Sequence, residues 1–435
     1  MKRYAMSRLI EWKNDKNRKP LIVKGARQVG KTWLIKEFGS TNFENTAYVS
    51  FENNRNMQIL FEGDYDIPRL IEGLELETKE TIHPGKTLIV FDEVQEVPKA
   101  LASLKYFNEN APEYLIIAAG SLLGIALHKG VSFPVGKVDF CDIYPLTFRE
   151  FLEAVGEEGL AGLLEKKDWA LISAFSGKLI DLLRKYYFVG GMPEAVAEYA
   201  ESRNHEKVRR IQELILFAYD RDFSKYAPYN IAQQIRNVWS SIPAQLGREN
   251  KRFSPGIVKQ GSRLSDYEHA LQWMLDYGLI YQVRQVNKPA LPLSGYETHA
   301  FKIYAHDVGI LAAKADLDPQ TLLDGNRIFT EYKGSLTEQY VLQEMVACKT
   351  RLYYWASDGK AEVDFVFRYG GDIYPLEVKA EENLQSKSLR VYYGKYAPPF
   401  ALRTSMKNYR DDGWLVNIPL YAIGTDFLQL LRDKE

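Results

Sequence analysis

The residues best suited to chemistry lie near the start of the chain. Residues 25–32 match the pattern G-x-x-x-x-G-K-[ST] at every fixed position. In this pattern the glycines let successive backbone N–H groups point at phosphate oxygens, together with the N-terminus of the following helix. Lys31 would reach the β- and γ-phosphates, and the Thr32 hydroxyl would bind Mg²⁺. The predicted phosphate loop consists of Gly25, Ala26, Arg27, Gln28, Val29, Gly30, Lys31 and Thr32.

Two carboxylates follow a second apolar segment. Residues 87–91 form a continuous apolar run, typical of a strand covered on both faces of a parallel sheet, and the run ends in Asp92 and Glu93. We expect Asp92, at the end of the strand beside the phosphate loop, to hold Mg²⁺ through its water shell. Glu93 would then polarise an attacking water. A solvated strand exit is the alternative, and the phosphate loop favours the hydrolytic interpretation.

A hydroxyl follows a third apolar run. Residues 114–120 lead directly to Ser121, at a strand-to-helix junction. A serine in this place could sense the γ-phosphate or could cap the next helix. Both roles stay open at this point.

The elements that must position these groups alternate over the first 150 residues. Strand-like runs separated by helical or loop segments lie at 21–24, 47–51, 88–91, 114–118 and 138–143. Such alternation implies right-handed crossovers and a parallel sheet between layers of helices. We therefore expect an α/β fold built on a parallel sheet over residues 1–150.

Length and composition restrict the remaining possibilities. A chain of 435 residues predicts two or three domains. The 56 basic residues nearly balance the 57 acidic ones, so the chain as a whole does not attract DNA. Any contact with DNA must therefore come from a local basic patch. The two cysteines provide neither a disulfide framework nor a metal cluster. No segment reads as a signal peptide or a membrane span, so we expect a soluble, cytoplasmic protein without a membrane partner.

The middle of the chain reads as helical. Three helical pieces at 231–246, 254–260 and 265–276 precede a strand at 279–286, an order that resembles a winged helix-turn-helix. The third piece carries three acids and neither Lys nor Arg, which is a poor surface to lay against phosphates. We favour a structural or protein-contacting role for this helix over DNA readout.

The C-terminal part contains a predicted hairpin with charge on one face. Residues 361–368 and 373–379 read as strands, and the link between them suits a two-residue turn centred on residues 370–371. In that register Asp364 lies opposite Glu377. Side chains alternate along a strand, so the other face of the hairpin is uninterrupted apolar surface that must pack on a core.

Paired carboxylates on one face repel each other unless a positive charge lies between them. A divalent cation between Asp364 and Glu377 would supply that charge. Alternatively the face is solvated, and Lys379, opposite Glu362, neutralises its neighbours. The spacing alone does not decide between these interpretations.

The residues Asp364, Glu377 and Lys379, with Glu338 on an earlier helical segment, resemble the PD-(D/E)xK nuclease superfamily. The resemblance implies that Glu338, Asp364 and Glu377 bind Mg²⁺. It also implies that Lys379 orients or activates the water that attacks a phosphodiester.

Two further residues bear on this resemblance. Glu344 is an alternative carboxylate on the same helical segment as the expected ligand. Pro375 argues against the resemblance, because proline lacks an N–H and prefers an edge strand, whereas the strand in question usually lies inside the sheet in this superfamily.

Motifs along nearly the whole chain point to a family. They lie at residues 25–32, 91–95, 120–121, 144–151, 190–193, 302–304, 307–309 and 377–379. Together they resemble a large family of prokaryotic AAA-type ATPases fused to a C-terminal domain of unknown function. The resemblance implies ATP and Mg²⁺ as cofactors and three regions: a P-loop ATPase domain (1–150), a helical lid with a winged-helix-like region (151–325) and a nuclease-like domain (326–435).

One departure from the family pattern concerns hydrolysis. Lys137 follows Gly136 where relatives commonly have arginine, and an ammonium lacks the bidentate phosphate contact of a guanidinium. Arg27 and Arg149 are other cations that could serve, and neither is assigned as an arginine finger.

Two functions follow from these expectations. The leading one is an ATPase that uses ATP binding and hydrolysis to control a DNA-associated, nuclease-like module. The rival is a nucleotide-dependent switch with a protein partner and an inactive nuclease-like fold. The near-zero net charge and the acidic helix favour the rival.

Overall fold

The computed structural model describes residues 1–120, 134, 136–319, 330–357, 361–380, 386–424 and 427–432. The expected sensor Ser121 lies outside these residues. The chain folds as two compact units. The N-terminal unit comprises Arg3–Tyr144 with Asp276–Leu279, and the C-terminal unit comprises Met1–Lys2, Pro145–Leu275 and Ile280–Glu435.

The N-terminal unit alternates strands and helices, as its apolar runs predict. Its described elements are α1 (Ala5–Asn14), β1 (Leu21–Lys24), α2 (Lys31–Asn42), β2 (Asn45–Ser50), α3 (Arg55–Glu62), α4 (Ile67–Thr78), β3 (Thr87–Asp92), α5 (Pro98–Asn110), β4 (Leu115–Ala119) and β5 (Asp139–Asp142). The five strands form a parallel sheet of order β2-β3-β4-β1-β5. Every residue of β3 and β4 is buried, so helices cover both faces of the sheet. The expected α/β fold is confirmed.

The strand order separates the two strands that carry the expected nucleotide site. β4 lies between β1 and β3, pairing with Leu21–Val23 of β1 and with Leu88–Phe91 of β3. The strand that ends in Asp92 is therefore not beside the phosphate-loop strand. The sequence pattern identifies strands but not their neighbours, and β4, which follows β3 along the chain, inserts between the two.

The C-terminal unit begins with helices. Its described helices are α6 (Phe148–Ala154), α7 (Glu158–Lys166), α8 (Trp169–Ala174), α9 (Ser176–Val189), α10 (Pro193–Ser202), α11 (His205–Tyr226), α12 (Tyr229–Leu246), α13 (Pro255–Val258), α14 (Glu268–Tyr277), α15 (Val308–Lys314), α16 (Thr330–Ala347), α17 (Lys387–Tyr396) and α18 (Phe427–Arg432). The last two residues of α14 belong to the N-terminal unit. No helix in the described part of the chain is both long and apolar enough to cross a membrane.

A mixed sheet of eight strands completes this unit. Its strands are β6 (Ile280–Val286), β7 (Glu297–Ala305), β8 (Leu352–Ala356), β9 (Glu362–Tyr369), β10 (Asp372–Val378), β11 (Ala401–Ser405), β12 (Arg410–Asp411) and β13 (Leu415–Pro419), in the order β12-β13-β11-β10-β9-β8-β6-β7. β6, the strand expected after the three helical pieces, pairs with β8 in parallel. The expected boundary near residue 325 therefore falls inside one compact unit, because β6 and β7 join the C-terminal sheet.

The β9–β10 hairpin has the predicted register. Asp372 pairs with Tyr369 and Leu376 pairs with Phe365, which is the pairing of a turn centred on residues 370–371. The face carrying Phe365 and Leu376 is fully buried, as expected. The edge-strand argument from Pro375 is wrong, because β10 is an interior strand between β9 and β11. Pairing with β11 begins at Leu376, so the missing N–H of Pro375 precedes that ladder.

Candidate functional site

The phosphate loop connects β1 to the start of α2. Gly30 caps α2 with a left-handed backbone (φ 89°), and Lys31 is the first residue of the helix. The Lys31 ammonium donates hydrogen bonds to the carbonyl oxygens of Gly25 at 2.9 Å and Ala26 at 2.8 Å. The Lys31 side chain thus folds back onto its own loop. A bound phosphate group would offer the ammonium stronger, charged acceptors than these carbonyl oxygens.

Asp92 ends β3 within reach of this loop. The Thr32 hydroxyl lies 3.4 Å from Asp92 Oδ2, although the two residues are 60 positions apart. Asp92 Oδ1 accepts a hydrogen bond from the Glu93 N–H at 3.1 Å. A hydroxyl and a carboxylate side by side are the hard oxygen donors that Mg²⁺ prefers, so these two side chains fit a magnesium ion.

Burial shapes the electrostatics of the site. It lowers the pKa of the Lys31 ammonium to about 8, although the nearby carboxylates of Glu93 and Asp92 act to raise it. Burial also raises the pKa of Asp92, a shift that a hydrogen bond from Tyr48 opposes. The site therefore holds charges that lack full solvation, and an ATP–Mg²⁺ complex would supply opposite charges for both.

Two side chains that the sequence did not single out hold the acidic residues. The Tyr48 hydroxyl, on the neighbouring strand β2, donates a hydrogen bond to Asp92 Oδ2. The Gln95 amide donates to Glu93 Oε2 at 2.5 Å. Gln95 lies two residues after Glu93 and could have been suspected from that spacing. The contact of Tyr48 with Asp92 could not be inferred from the sequence, because it depends on the pairing of β2 with β3.

The three cations considered as arginine fingers make other contacts. The Lys137 ammonium pairs with Glu109 at 2.9 Å. The Arg149 guanidinium pairs with Glu165 at 2.5 Å, and both belong to the C-terminal unit. Arg27 is also engaged in an interaction. No arginine finger is assigned.

A second group of charges lies inside the C-terminal unit. Glu338 on α16 is buried, at 6% exposure. One of its oxygens accepts a hydrogen bond from the Lys251 ammonium, and the other accepts from the Tyr304 hydroxyl at 3.2 Å. Although burial acts to raise the pKa of Glu338, Lys251 and Lys302 bring it below its usual value. Glu338 is thus an ionised partner in a buried ion pair.

Lys302 brings a second ammonium to the group. This β7 residue is 1% exposed and pairs with Glu362 at 2.5 Å. Burial acts to lower the pKa of Lys302, but Glu338, Glu362 and Asp364 together hold it above its ordinary value. Burial and the charge of Glu338 raise the pKa of Asp364 to about 7. A lysine in the apolar run of residues 300–305 was a sequence signal for this buried charge.

Glu377 and Lys379 lie at the end of β10. Glu377 is 4% exposed, and one of its oxygens pairs with the Lys379 ammonium at 3.1 Å. Its other oxygen, Oε2, is buried and accepts no hydrogen bond from any residue in the described ranges. Asp364 instead accepts a hydrogen bond from the Val378 N–H at 2.8 Å. The alternative interpretation, a solvated charged face, therefore does not hold for Glu377.

The expected three-carboxylate magnesium set is not assembled. Within the described parts of the chain, no three His, Cys, Asp or Glu residues are placed to hold a metal ion. The positive charge that Glu338 and Asp364 require comes from the ammonium groups of Lys251 and Lys302. In this arrangement ammonium groups balance the charges of Glu338 and Asp364, and the magnesium set with Lys379 stays a prediction.

The segments 144–151, 190–193 and 307–309 belong to a second buried network in the C-terminal unit. The Asp307 carboxylate accepts hydrogen bonds from the N–H groups of Gly191 at 2.6 Å and Ile310 at 2.9 Å. Glu344 on α16 accepts from the Phe148 N–H at 2.8 Å. Glu344 is therefore a support for α6, not an alternative member of the carboxylate group. These motifs stabilise the fold of the C-terminal unit.

Comparison with known families identifies the N-terminal unit. Residues 17–152 match a family model described as an AAA domain. The chain contains a P-loop ATPase domain. Residues 180–321 and 333–422 match two separate models, each described as a domain of unknown function. The ATPase part of the expected resemblance is confirmed, and its winged-helix and nuclease-like parts stay predictions.

Solved structures show only distant likeness. The Walker-type ATPase PABY2304 of Pyrococcus abyssi is 14% identical over 72% of this chain and 95% of that chain, with a TM-score of 0.44. The Orc1 protein of Aeropyrum pernix in complex with DNA is 14% identical over 72% and 91%, with a TM-score of 0.26. No curated protein matches the chain. The assignment therefore rests on the family match and on the geometry of the phosphate loop.

Proposed function

We propose that the P-loop domain binds ATP with Mg²⁺ and hydrolyses it. The observation that carries this proposal is the approach of the Thr32 hydroxyl to Asp92, next to the buried Lys31 ammonium. These are the three groups that a triphosphate and its metal require, and they come from two separate elements. Packing of the sheet does not by itself require these three polar side chains to lie together.

Each residue has a distinct role in this proposal. Thr32 and Asp92 would hold Mg²⁺, which neutralises charge on the phosphates when bound. Lys31 would exchange its two carbonyl acceptors for phosphate oxygens. Glu93, oriented by Gln95, would accept a proton from the attacking water.

Steady-state hydrolysis by the purified chain tests the proposal. We expect Mg²⁺-dependent ATP hydrolysis that Lys31→Ala abolishes. Glu93→Gln should lower the rate by about 10²-fold or more while ATP still binds, because general-base assistance contributes at least that factor. Glu96→Gln, the same change at an exposed neighbour, is the matched control and should leave the rate unchanged. Hydrolysis that survives Lys31→Ala would contradict the proposal.

We further infer that the C-terminal unit does not cut DNA. We also propose that it associates with DNA under the control of ATP, a proposal supported by the five basic residues and one acidic residue of segment 247–263. The support for an inactive site is the pairing of Lys251 with Glu338 and of Lys302 with Glu362. These ion pairs satisfy the charges that a metal would otherwise neutralise. Displacing a buried, hydrogen-bonded ammonium costs several kcal/mol, so metal binding must overcome that cost.

Cleavage assays separate this inference from the nuclease alternative. Purified protein with Mg²⁺ or Mn²⁺ should leave single-stranded, double-stranded and branched DNA intact. Asp364→Ala and Lys379→Ala serve as reference variants. If the parent cuts DNA and both variants lose the activity, the inactive-site inference is wrong and the nuclease interpretation holds.

A further inference from the structure

A large polar cleft lies in the C-terminal unit between helix α12 and the segment that follows α13. Its volume is about 990 Å³, at the upper end of the ~300–1,000 Å³ typical of ligand sites. One wall is the N-terminal half of α12, and the other is formed by residues 259–267. The side chains that give the cleft its character are Tyr229, Asn230, Gln233, Gln234, Asn237 and Gln260.

These side chains offer hydrogen bonds and one aromatic face. Tyr229 is 99% exposed at the first position of α12. Leaving an aromatic ring so exposed gives no folding benefit, since burial of its surface is what stabilises a fold. Gln234 Oε1 is buried but accepts no hydrogen bond from the residues that the structure describes. The cleft thus presents a stacking surface and an amide oxygen that lacks a donor.

The cleft lining carries two positive side chains, Arg236 and Lys259, and one negative side chain, Asp266, whose backbone hydrogen bond leaves its charge in place. The Arg236 guanidinium donates to Asp220 at 2.8 Å. Asp266 accepts a hydrogen bond from the Arg263 N–H at 2.8 Å. Lys259 is exposed and forms no ion pair with any residue of the described ranges. Its ammonium is therefore available to an anion.

The chain around Lys259 is basic, in contrast to the near-neutral whole. Residues 247–263 contain five basic residues and one acidic residue. One of the five, Lys251, is occupied by Glu338. Arg248, Arg252 and Arg263 are exposed. These exposed residues make a locally basic segment of the kind that contact with DNA requires, and the segment precedes helix α14 in the chain.

The combination of groups selects the kind of ligand. An exposed tyrosine can stack only on bases that are unpaired, and amide side chains can bond only base edges that are free. Helix α12 also directs the positive end of its dipole toward its first turn, where Tyr229 and Asn230 lie. A protein partner would need an apolar anchor pocket at its centre, whereas five of the fifteen residues that line this cleft carry amide side chains.

We propose that this cleft binds single-stranded nucleic acid. One base stacks on Tyr229, the amides of α12 contact base edges, and Lys259 contacts a backbone phosphate. The proposal rests on the DNA association inferred above and assigns it to a cleft whose lining residues lie outside helix α14. These side chains do not distinguish DNA from RNA, so both enter the test.

Fluorescence anisotropy with labelled 20-nucleotide strands tests the proposal on the full chain. The parent should bind single-stranded DNA or RNA more tightly than the same duplex. Tyr229→Ala should weaken single-strand binding about tenfold, the order expected for loss of one stacked base. Tyr229→Phe should restore it, because the phenyl ring keeps the stacking face.

Lys259→Gln supplies a second, independent measurement. Loss of one phosphate contact should reduce the slope of log affinity against log salt by about 0.7 for a single strand. Lys166→Gln on α7 and Phe175→Ala are the matched controls, since both positions are exposed and neither lines the cleft. ATP hydrolysis should be unchanged in all five variants, which shows that the chain is folded.

The outcomes separate two failures. If the parent binds single strands and the Tyr229 and Lys259 variants bind equally well with the same salt slope, the cleft is not the site, while DNA association stands. If the parent binds no nucleic acid at low salt, both this proposal and the DNA association fail. Tighter binding of duplex than of single strands overturns the stacking argument alone.

Discussion

The buried ammonium of Lys31 makes ATP binding depend on pH in a specific direction. Lys31 is 7% exposed, and burial lowers its pKa from the ordinary 10.5 to about 8. A bound triphosphate brings negative charge to the ammonium and should return its pKa toward the ordinary value. Because the bound state then holds the proton more tightly, ATP binding should take up protons, and affinity should fall as pH rises through about 8.

The magnitude follows from the size of the shift. With a pKa of about 8, roughly a tenth of the Lys31 side chains are neutral at pH 7, half at pH 8 and nine tenths at pH 9. The number of protons taken up per ATP bound should equal the neutral fraction of Lys31 at each pH, roughly a tenth, a half and nine tenths. Affinity should fall about tenfold between pH 7 and pH 9, approaching ~1.4 kcal/mol per pH unit above the free pKa.

Isothermal titration calorimetry provides the assay. A non-hydrolysable ATP analogue with Mg²⁺ is titrated at pH 7, 8 and 9 in two buffers of different ionisation enthalpy, and the difference in heat gives the protons taken up. Lys31→Arg is the control, since a guanidinium stays charged throughout this range. Lys16→Gln, a change at an exposed lysine after helix α1, controls for general loss of charge.

Two results would refute the reasoning. Uptake below about 0.1 proton at pH 9 would mean that Lys31 keeps its charge without a phosphate partner. Equal uptake by the Lys31→Arg variant would place the titrating group elsewhere.

Two further predictions concern the C-terminal unit and are checked by urea denaturation. Gly309→Ala should lower the free energy of unfolding by about 2 kcal/mol, because the added Cβ would lie 2.5 Å from a backbone carbonyl oxygen. Gly162→Ala, where the added Cβ meets open space, should instead stabilise helix α7 by up to ~1 kcal/mol, and an equal loss in both variants would contradict the close-approach argument. Lys251→Met should cost about 3 kcal/mol by leaving Glu338 without its buried partner. Lys178→Met breaks a more exposed ion pair and should cost less than about 1 kcal/mol; similar losses would show that the Lys251 pair is not desolvated.

Local chemistry made the nucleotide site predictable. The spacing of glycines, Lys31 and Thr32 specifies a turn into a helix, and that geometry depends on a few neighbouring residues. The β9–β10 hairpin was predictable for a similar reason. A two-residue turn sets the register, and alternation then assigns Phe365 and Leu376 to the core face.

Contacts between distant segments were not predictable in the same way. Lys251 reaches Glu338 across 87 positions of the chain. Asp307 reaches the Gly191 N–H across 116 positions. The carboxylates of the hairpin resembled metal ligands in the sequence. No local signal showed that one lysine from the α12–α13 connection and another from β7 would neutralise them.

The linear pattern therefore specified the α/β class, the phosphate loop, the acidic end of β3 and the hairpin register. Folding alone decided that β4 separates β1 from β3, that Tyr48 holds Asp92, and that Lys251 and Lys302 enter the carboxylate group. The physical reason is the separation along the chain over which each interaction acts. Turn geometry and side-chain alternation act between residues close in the chain, whereas strand order and burial of charge depend on which distant segments share one core.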